Sequence, residues 1–195
     1  MNKILGLSLL LGLLFLSGCA ITHEYGPYMG KVVEKGSGEP IEGAVVFLQF
    51  YTGAGDIGGM TSYYADAVET LTNVKGEFLV PKRSIYTFRI LSGWVEDAKA
   101  IVFKPGHGAF PRNRNTKLTP HAKPDWTIPA NTPMVIELPR LNTKEERLES
   151  LHDAGGWDMG DVPCEKQRFI LKLYNSERIA MGFEPEMKNT CGGLE

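Results

Sequence analysis

The chain has 195 residues, 43% of them hydrophobic and 23% charged, a balance that excludes a disordered polypeptide. A formal charge of −2 gives no electrostatic case for binding nucleic acid or an anionic membrane surface. The length accommodates one domain of about 100–150 residues plus an added element.

The first residues read as a targeting signal rather than as part of the domain. Lys3 supplies a positive start, and residues 4–15 form an apolar run broken only by Gly and Ser. The run is too short for a bilayer, which needs about 20 apolar residues, but it suits a signal-peptide core. It ends in Leu16-Ser17-Gly18-Cys19. This resembles the bacterial lipobox, in which a small residue precedes a cysteine. The resemblance implies removal of residues 1–18 and lipid on both the thiol and the new amino group of Cys19. The other reading is an ordinary secretory signal with a coincidental cysteine. Several acyl chains at one site hold a protein stably, since each buried CH₂ contributes about 0.8 kcal/mol. The expected address is the cell envelope, facing the periplasm, with the membrane bound through Cys19. Ala20, where inner-membrane lipoproteins tend to carry Asp, favours the outer membrane. With Cys19 lipidated, Cys164 and Cys191 are left as a pair in an oxidising compartment and read as a disulfide. Closing such a loop is expected to contribute about 3–4 kcal/mol. A zinc site is the alternative, although no histidine stands near the pair.

Residues 20–27 read as a short polar tether between lipid and domain. A strand is expected at 29–35, a Gly/Ser/Pro turn at 36–40, and a second strand at 44–51, together forming a first hairpin. On a period of two, Ala44, Val46, Leu48 and Phe50 share a wholly apolar face that must be core. Val45 and Phe47 make the opposite face apolar as well, so something should cover it. Residues 52–67, with Gly53, Gly55, Gly58 and Gly59, read as a long glycine-rich loop. It has no phosphate-cradle spacing, and is either a plain surface insertion or a binding loop presenting Tyr63 and Tyr64. A second hairpin is expected from 68–72 and 77–80 around Asn73-Val74-Lys75-Gly76. Strands at 86–91, 99–103 and 134–138 follow, the last after a long polar loop at 112–133. About seven short strands separated by turns are the pattern of an antiparallel sandwich.

Three motifs carry a family likeness. Gly30-Lys31-Val32-Val33, then Gly38-Glu39-Pro40-Ile41, then Gly43-Ala44-Val45-Val46 is similar to the opening of carboxypeptidase regulatory-like domains. Thr72-Asn73-Val74-Lys75-Gly76-Glu77-Phe78 resembles the T-D-x-x-G-x-F element of that family, with Asn73 for the usual Asp. Lys104-Pro105-Gly106-His107 sits where a K-x-G-Y element is common, with His107 for Tyr. The likeness covers residues 28–140. It implies a mainly β, seven-stranded transthyretin-like (prealbumin-like) antiparallel sandwich and structural or binding work rather than chemistry. In that frame Phe78 is a core anchor, worth about 3–5 kcal/mol against Ala.

Residues 141–195 lie outside the likeness and read as a C-terminal two-helix extension. Thr143-Lys144-Glu145-Glu146 is a capping box that opens a helix over 144–154, stopped by Gly155-Gly156. A second helix is expected over 163–181, with Phe169, Ile170, Leu173 and Tyr174 on one stripe. These helices are expected to dock on the sandwich over the apolar face of Val45 and Phe47.

No catalytic pattern emerges. His23, His107, His121 and His152 form no H-E-x-x-H, and no G-x-S-x-G elbow exists. A metal site at His107, His121 and Asp125 is a minor alternative. Asp56 and Asp66 match no EF-hand spacing. The expectation is therefore no catalytic residue, no metal and no cofactor. The expected function is a lipid-anchored, non-catalytic structural or interaction module that binds another envelope protein or a surface glycan. Binding an extended peptide at a sheet edge fits the same architecture. The competing class is a metal-dependent enzyme or an accessory subunit of an envelope enzyme.

Overall fold

The structure is a computed structural model that describes residues 22–56, 59–89, 92–121, 126–155 and 159–185. The apolar leader, Cys19, Asp125 and Cys191 lie outside the described residues. The described chain is mainly β, with strands β1 (Thr22–Tyr25), β2 (Tyr28–Glu34), β3 (Val45–Asp56), β4 (Gly59–Leu71), β5 (Glu77–Val80) and β6 (Arg83–Tyr86) in its first part. Then come β7 (Gly93–Trp94), β8 (Ala98–Phe103), β9 (Lys117–Thr119), β10 (Thr127–Ile128) and β11 (Pro133–Leu138). Helices α1 (Lys144–Gly155) and α2 (Arg168–Ala180) close the chain, with a 3₁₀ turn, Cys164–Lys166, between them.

One sheet has the order β5-β2-β11-β9; a second runs β10-β8-β3-β4, with β7 also on β3; β1 and β6 form a two-stranded ribbon. The two larger sheets share one apolar core. Val32, Phe78, Met134, Ile136 and Leu138 come from the first, and Val46, Leu48, Phe50, Ala100 and Val102 from the second. Side chains alternate across each strand, so the residues at the even positions of β3 fill this core.

Several expectations change. The run 30–48 is not a hairpin: β2 and β3 belong to different sheets. The turn after β2 folds back for one bridge, Val33 to Pro40, and then crosses to the second sheet. The supposed second hairpin is likewise a crossing, because β5 pairs with β2 and not with β4. Thr72 joins the two crossings: its hydroxyl donates to the Ile41 carbonyl at 2.6 Å and accepts from the Ala44 N–H at 2.9 Å. The reason lies in β3. Both of its faces are apolar, which suits a central strand buried on two sides, and its neighbours are β4 and β8.

The glycine-rich loop at 52–67 is also a correction. It is the outer part of a long β3–β4 hairpin whose pairing continues from Tyr51↔Tyr64 to Asp56↔Gly59 beyond a bulge at Phe50/Tyr51. Glycine weakens a strand, but cross-strand pairing overrides local preference here. The segment 20–27, expected as a tether, contains β1, paired with β6 from Thr22↔Tyr86 to Tyr25↔Arg83. Of the strand expected at 86–91, Tyr86 ends the strand Arg83–Tyr86, residues 87–89 are not strand, and 90–91 lie outside the described residues. The loop at 112–133 contains β9 and β10. Finally, β11 runs parallel to β2, so the sheet is mixed rather than purely antiparallel.

Docking of the helices follows the apolar outer face. Val45, Phe47, Ile101 and Phe103 form a second core with Leu151, Ile170, Leu171 and Tyr174. The buried stripe of α2 is Ile170, Leu171, Tyr174 and Glu177, whereas Phe169 is 43% exposed and Leu173 only half-buried. The stripe is thus rotated toward Leu171 from the one expected.

Candidate functional site

The two outer faces of the sandwich have different fates. The face of β3 and β8 is covered by α1 and α2. The outer face of the four-stranded sheet carries Leu79 at 60% and Val135 at 39% exposure. Across it runs an open groove of about 540 Å³, bordered by Met29, Lys31, Glu77, Leu79, Pro133 and Val135. The register explains this grouping: Met29 stands between Leu79 and Pro133, and Lys31 between Glu77 and Val135. Farther along the same face Lys117 Nζ lies 3.7 Å from a Glu137 carboxylate oxygen. The result is an aliphatic strip flanked by residues of both charges.

Two glycines shape the sheet beneath it. A Cβ on Gly30 would stand 2.2 Å from the Met134 carbonyl oxygen, so only glycine permits the close approach of β11. Gly76 has φ +72° and its missing Cβ would meet the Val32 carbonyl at 2.4 Å. Phe78, between them in the core, is 4% exposed.

A second concavity, about 440 Å³, is lined by Arg114, Lys117 and His121 together with Phe110, Asn113 and Thr116. Its titratable lining is wholly basic, and these three side chains are exposed.

The candidate residues from the sequence are dispersed. Tyr63 and Tyr64 are neighbours on β4 and so face opposite ways. Tyr63 is 42% exposed with the Arg89 guanidinium 5.0 Å from its ring centre. Tyr64 is half-buried, edge-on to Tyr51, and burial pushes its hydroxyl up to about 12, with the Asp66 charge adding to the effect. Cys164 is disulfide-bonded at the start of the 3₁₀ turn. His107 points Nε2 at Glu34, 3.6 Å away, while His121 belongs to the basic cleft. No group of three or more His, Cys, Asp or Glu side chains is gathered for a metal among the described residues. Asp66 instead accepts from Arg83 at 2.6 Å and from Lys166, tying β4 to β6 and to the turn before α2.

Sequence reasoning missed the polar ties that seat the helices. Glu69 on β4 accepts from the backbone N–H of Phe169 at 2.7 Å and of Ile170 at 3.0 Å, capping α2 from 100 residues away. Burial strips water from this carboxyl and pushes its pKa up, against the pull of those N–H donors. Arg147 on α1 donates through Nε and an amino nitrogen to both oxygens of Glu177 on α2, at 2.7 and 2.6 Å. Spacing along the chain gives no hint of such distant pairs. In comparisons with known proteins, the chain matches no family model, no curated protein and no solved structure.

Proposed function

We propose that the chain is a lipid-anchored protein of the cell envelope, held by Cys19 and facing the periplasm from the outer membrane, that serves as a non-catalytic interaction module. The observation that carries this reading is the unequal treatment of the two sandwich faces. The protein covers one apolar face with its own helices and leaves the other open as an aliphatic groove with charged borders. The partner that suits the groove is another envelope protein. Leu79, Val135 and Met29 offer aliphatic contact without an aromatic platform, and lysine and glutamate on the rim give register to a polypeptide partner. A sugar ring is better met by exposed aromatics. The reading of the sandwich as transthyretin-like rests on the residues around Gly30, Gly43, Gly76 and Phe78, and the lipid anchor rests on Leu16-Ser17-Gly18-Cys19.

Photo-crosslinkers at Leu79 and at Val135 in intact cells test the groove. The expected result is the same protein adduct at both positions and none at exposed Lys172 on α2. Adducts missing from both groove positions, or shared with Lys172, would remove the groove from consideration. Palmitate labelling of wild type against Cys19→Ala tests the anchor separately; equal labelling of the two would sink it.

A further inference from the structure

Tyr86 and Phe88 are 65% and 69% exposed, more than any other aromatic side chain among the described residues. Neighbouring exposed aromatics mark contact sites with proteins or membranes when they form one contiguous patch. Their place in the fold is specific. Tyr86 is the register partner of Thr22, the first residue of β1, and Phe88 follows two residues later. Thr22 stands three residues after Cys19. Three residues reach at most about 11 Å when fully extended. A lipid on Cys19 therefore keeps Thr22 within about 11 Å of the anchored residue, with Tyr86 paired beside it. Tyr63, 42% exposed beneath the Arg89 guanidinium, lies on the adjoining part of β4, since Arg89 also donates to the Tyr64 carbonyl at 2.9 Å. Aromatic rings with a cation beside them match the membrane–water boundary, where the ring enters the acyl region and the charge stays with the headgroups.

From this juxtaposition we infer that Tyr86 and Phe88 form a second membrane contact, which rests on the bilayer beside the lipid anchor and fixes the orientation of the sandwich. The occupant of the patch is the phospholipid surface itself. The inference rests on lipidation of Cys19, as proposed above. It sets the end of the sandwich that carries β1 and β6 against the membrane. The turn that carries Val74, where β2 finishes and the Val32 N–H donates to the Gly76 carbonyl, then points away from it.

The test uses the full lipidated protein in phosphatidylethanolamine and phosphatidylglycerol vesicles that contain acyl-chain-brominated lipid. Phe88→Trp and Tyr86→Trp each add emission to that of the three native tryptophans, and Val74→Trp, 68% exposed at the far end, is the reference. The expected result is a blue shift and loss of most of the added emission at positions 86 and 88, with little loss at 74. Equal quenching at 74 and 88 in protein that floats with the vesicles overturns the patch and leaves the anchor intact. If mass spectrometry finds Cys19 without lipid and the protein fails to float, the anchor reading fails and the patch fails with it.

Discussion

The Thr72 hydroxyl links the two crossings between the sheets. Thr72 is 4% exposed and stands in the second crossing, donating to Ile41 and accepting from Ala44 in the first. Thr72→Val keeps the shape and strands both backbone groups, so urea denaturation should show a loss of about 1–3 kcal/mol, whereas Thr72→Ser should lose less. Two carboxylates should titrate on opposite sides of the ordinary 4.5. In Glu146, N–H donors of Asn142 and Thr143 hold the carboxyl below that value. Its folded pKa is depressed, so its contribution to stability is present above about pH 4.5 and is lost as pH falls through the folded value. In Glu69 burial raises the pKa, so its contribution is present below about pH 4.5 and fades as pH rises through the folded value. Carbon-detected NMR titration of the two carboxyls checks both directions; midpoints in the reverse order would contradict the arrangement around the helix starts.

At the scale of elements, α2 is placed by one apolar stripe and two polar ties. Ile170 and Tyr174 enter the core with Phe47 and Phe103, Glu69 caps the start, and Glu177 holds α1 through Arg147. Glu177 is only 3% exposed, so Arg147→Ala leaves a buried charge without its partner and should cost about 3 kcal/mol in denaturant unfolding. Arg147→Met with Glu177→Leu should recover much of that loss, because no buried charge remains. Phe47→Ala should cost about 3–5 kcal/mol, as for any large aromatic removed from a closed core. The capping box of α1 and the apolar alternation of β3 were legible from residue order, because both depend on neighbours three or two residues away. The long β3–β4 hairpin was not, because its glycines have poor local strand preference and its pairing is decided across the turn.

For the whole molecule, the sandwich and the helices share a core and should not separate without cost. Truncation after Arg140 uncovers Val45, Phe47, Ile101 and Phe103, and the fragment should bind a hydrophobic dye and precipitate. A soluble fragment with unchanged thermal stability would show that the helices are dispensable. The groove over Leu79 and Val135 was invisible in the sequence, since its residues come from three strands far apart along the chain, Tyr28–Glu34, Glu77–Val80 and Pro133–Leu138. So was the nearness of Tyr86 to Thr22, which depends on pairing across the β1–β6 ribbon.

The sequence by itself determined a mainly β domain, an apolar face on each side of the second strand run, and a capped helical extension to cover one of them. Those features follow from side-chain alternation and from hydrogen bonds within a single turn of chain. Only the tertiary structure decided which strands became neighbours, that β11 runs parallel to β2, and that the turns at 36–40 and 72–77 cross between sheets. Strand pairing is satisfied by backbone groups that every residue carries, so residue identity specifies it weakly. The choice falls to burial of both faces of β3 and to the close approach that Gly30 permits.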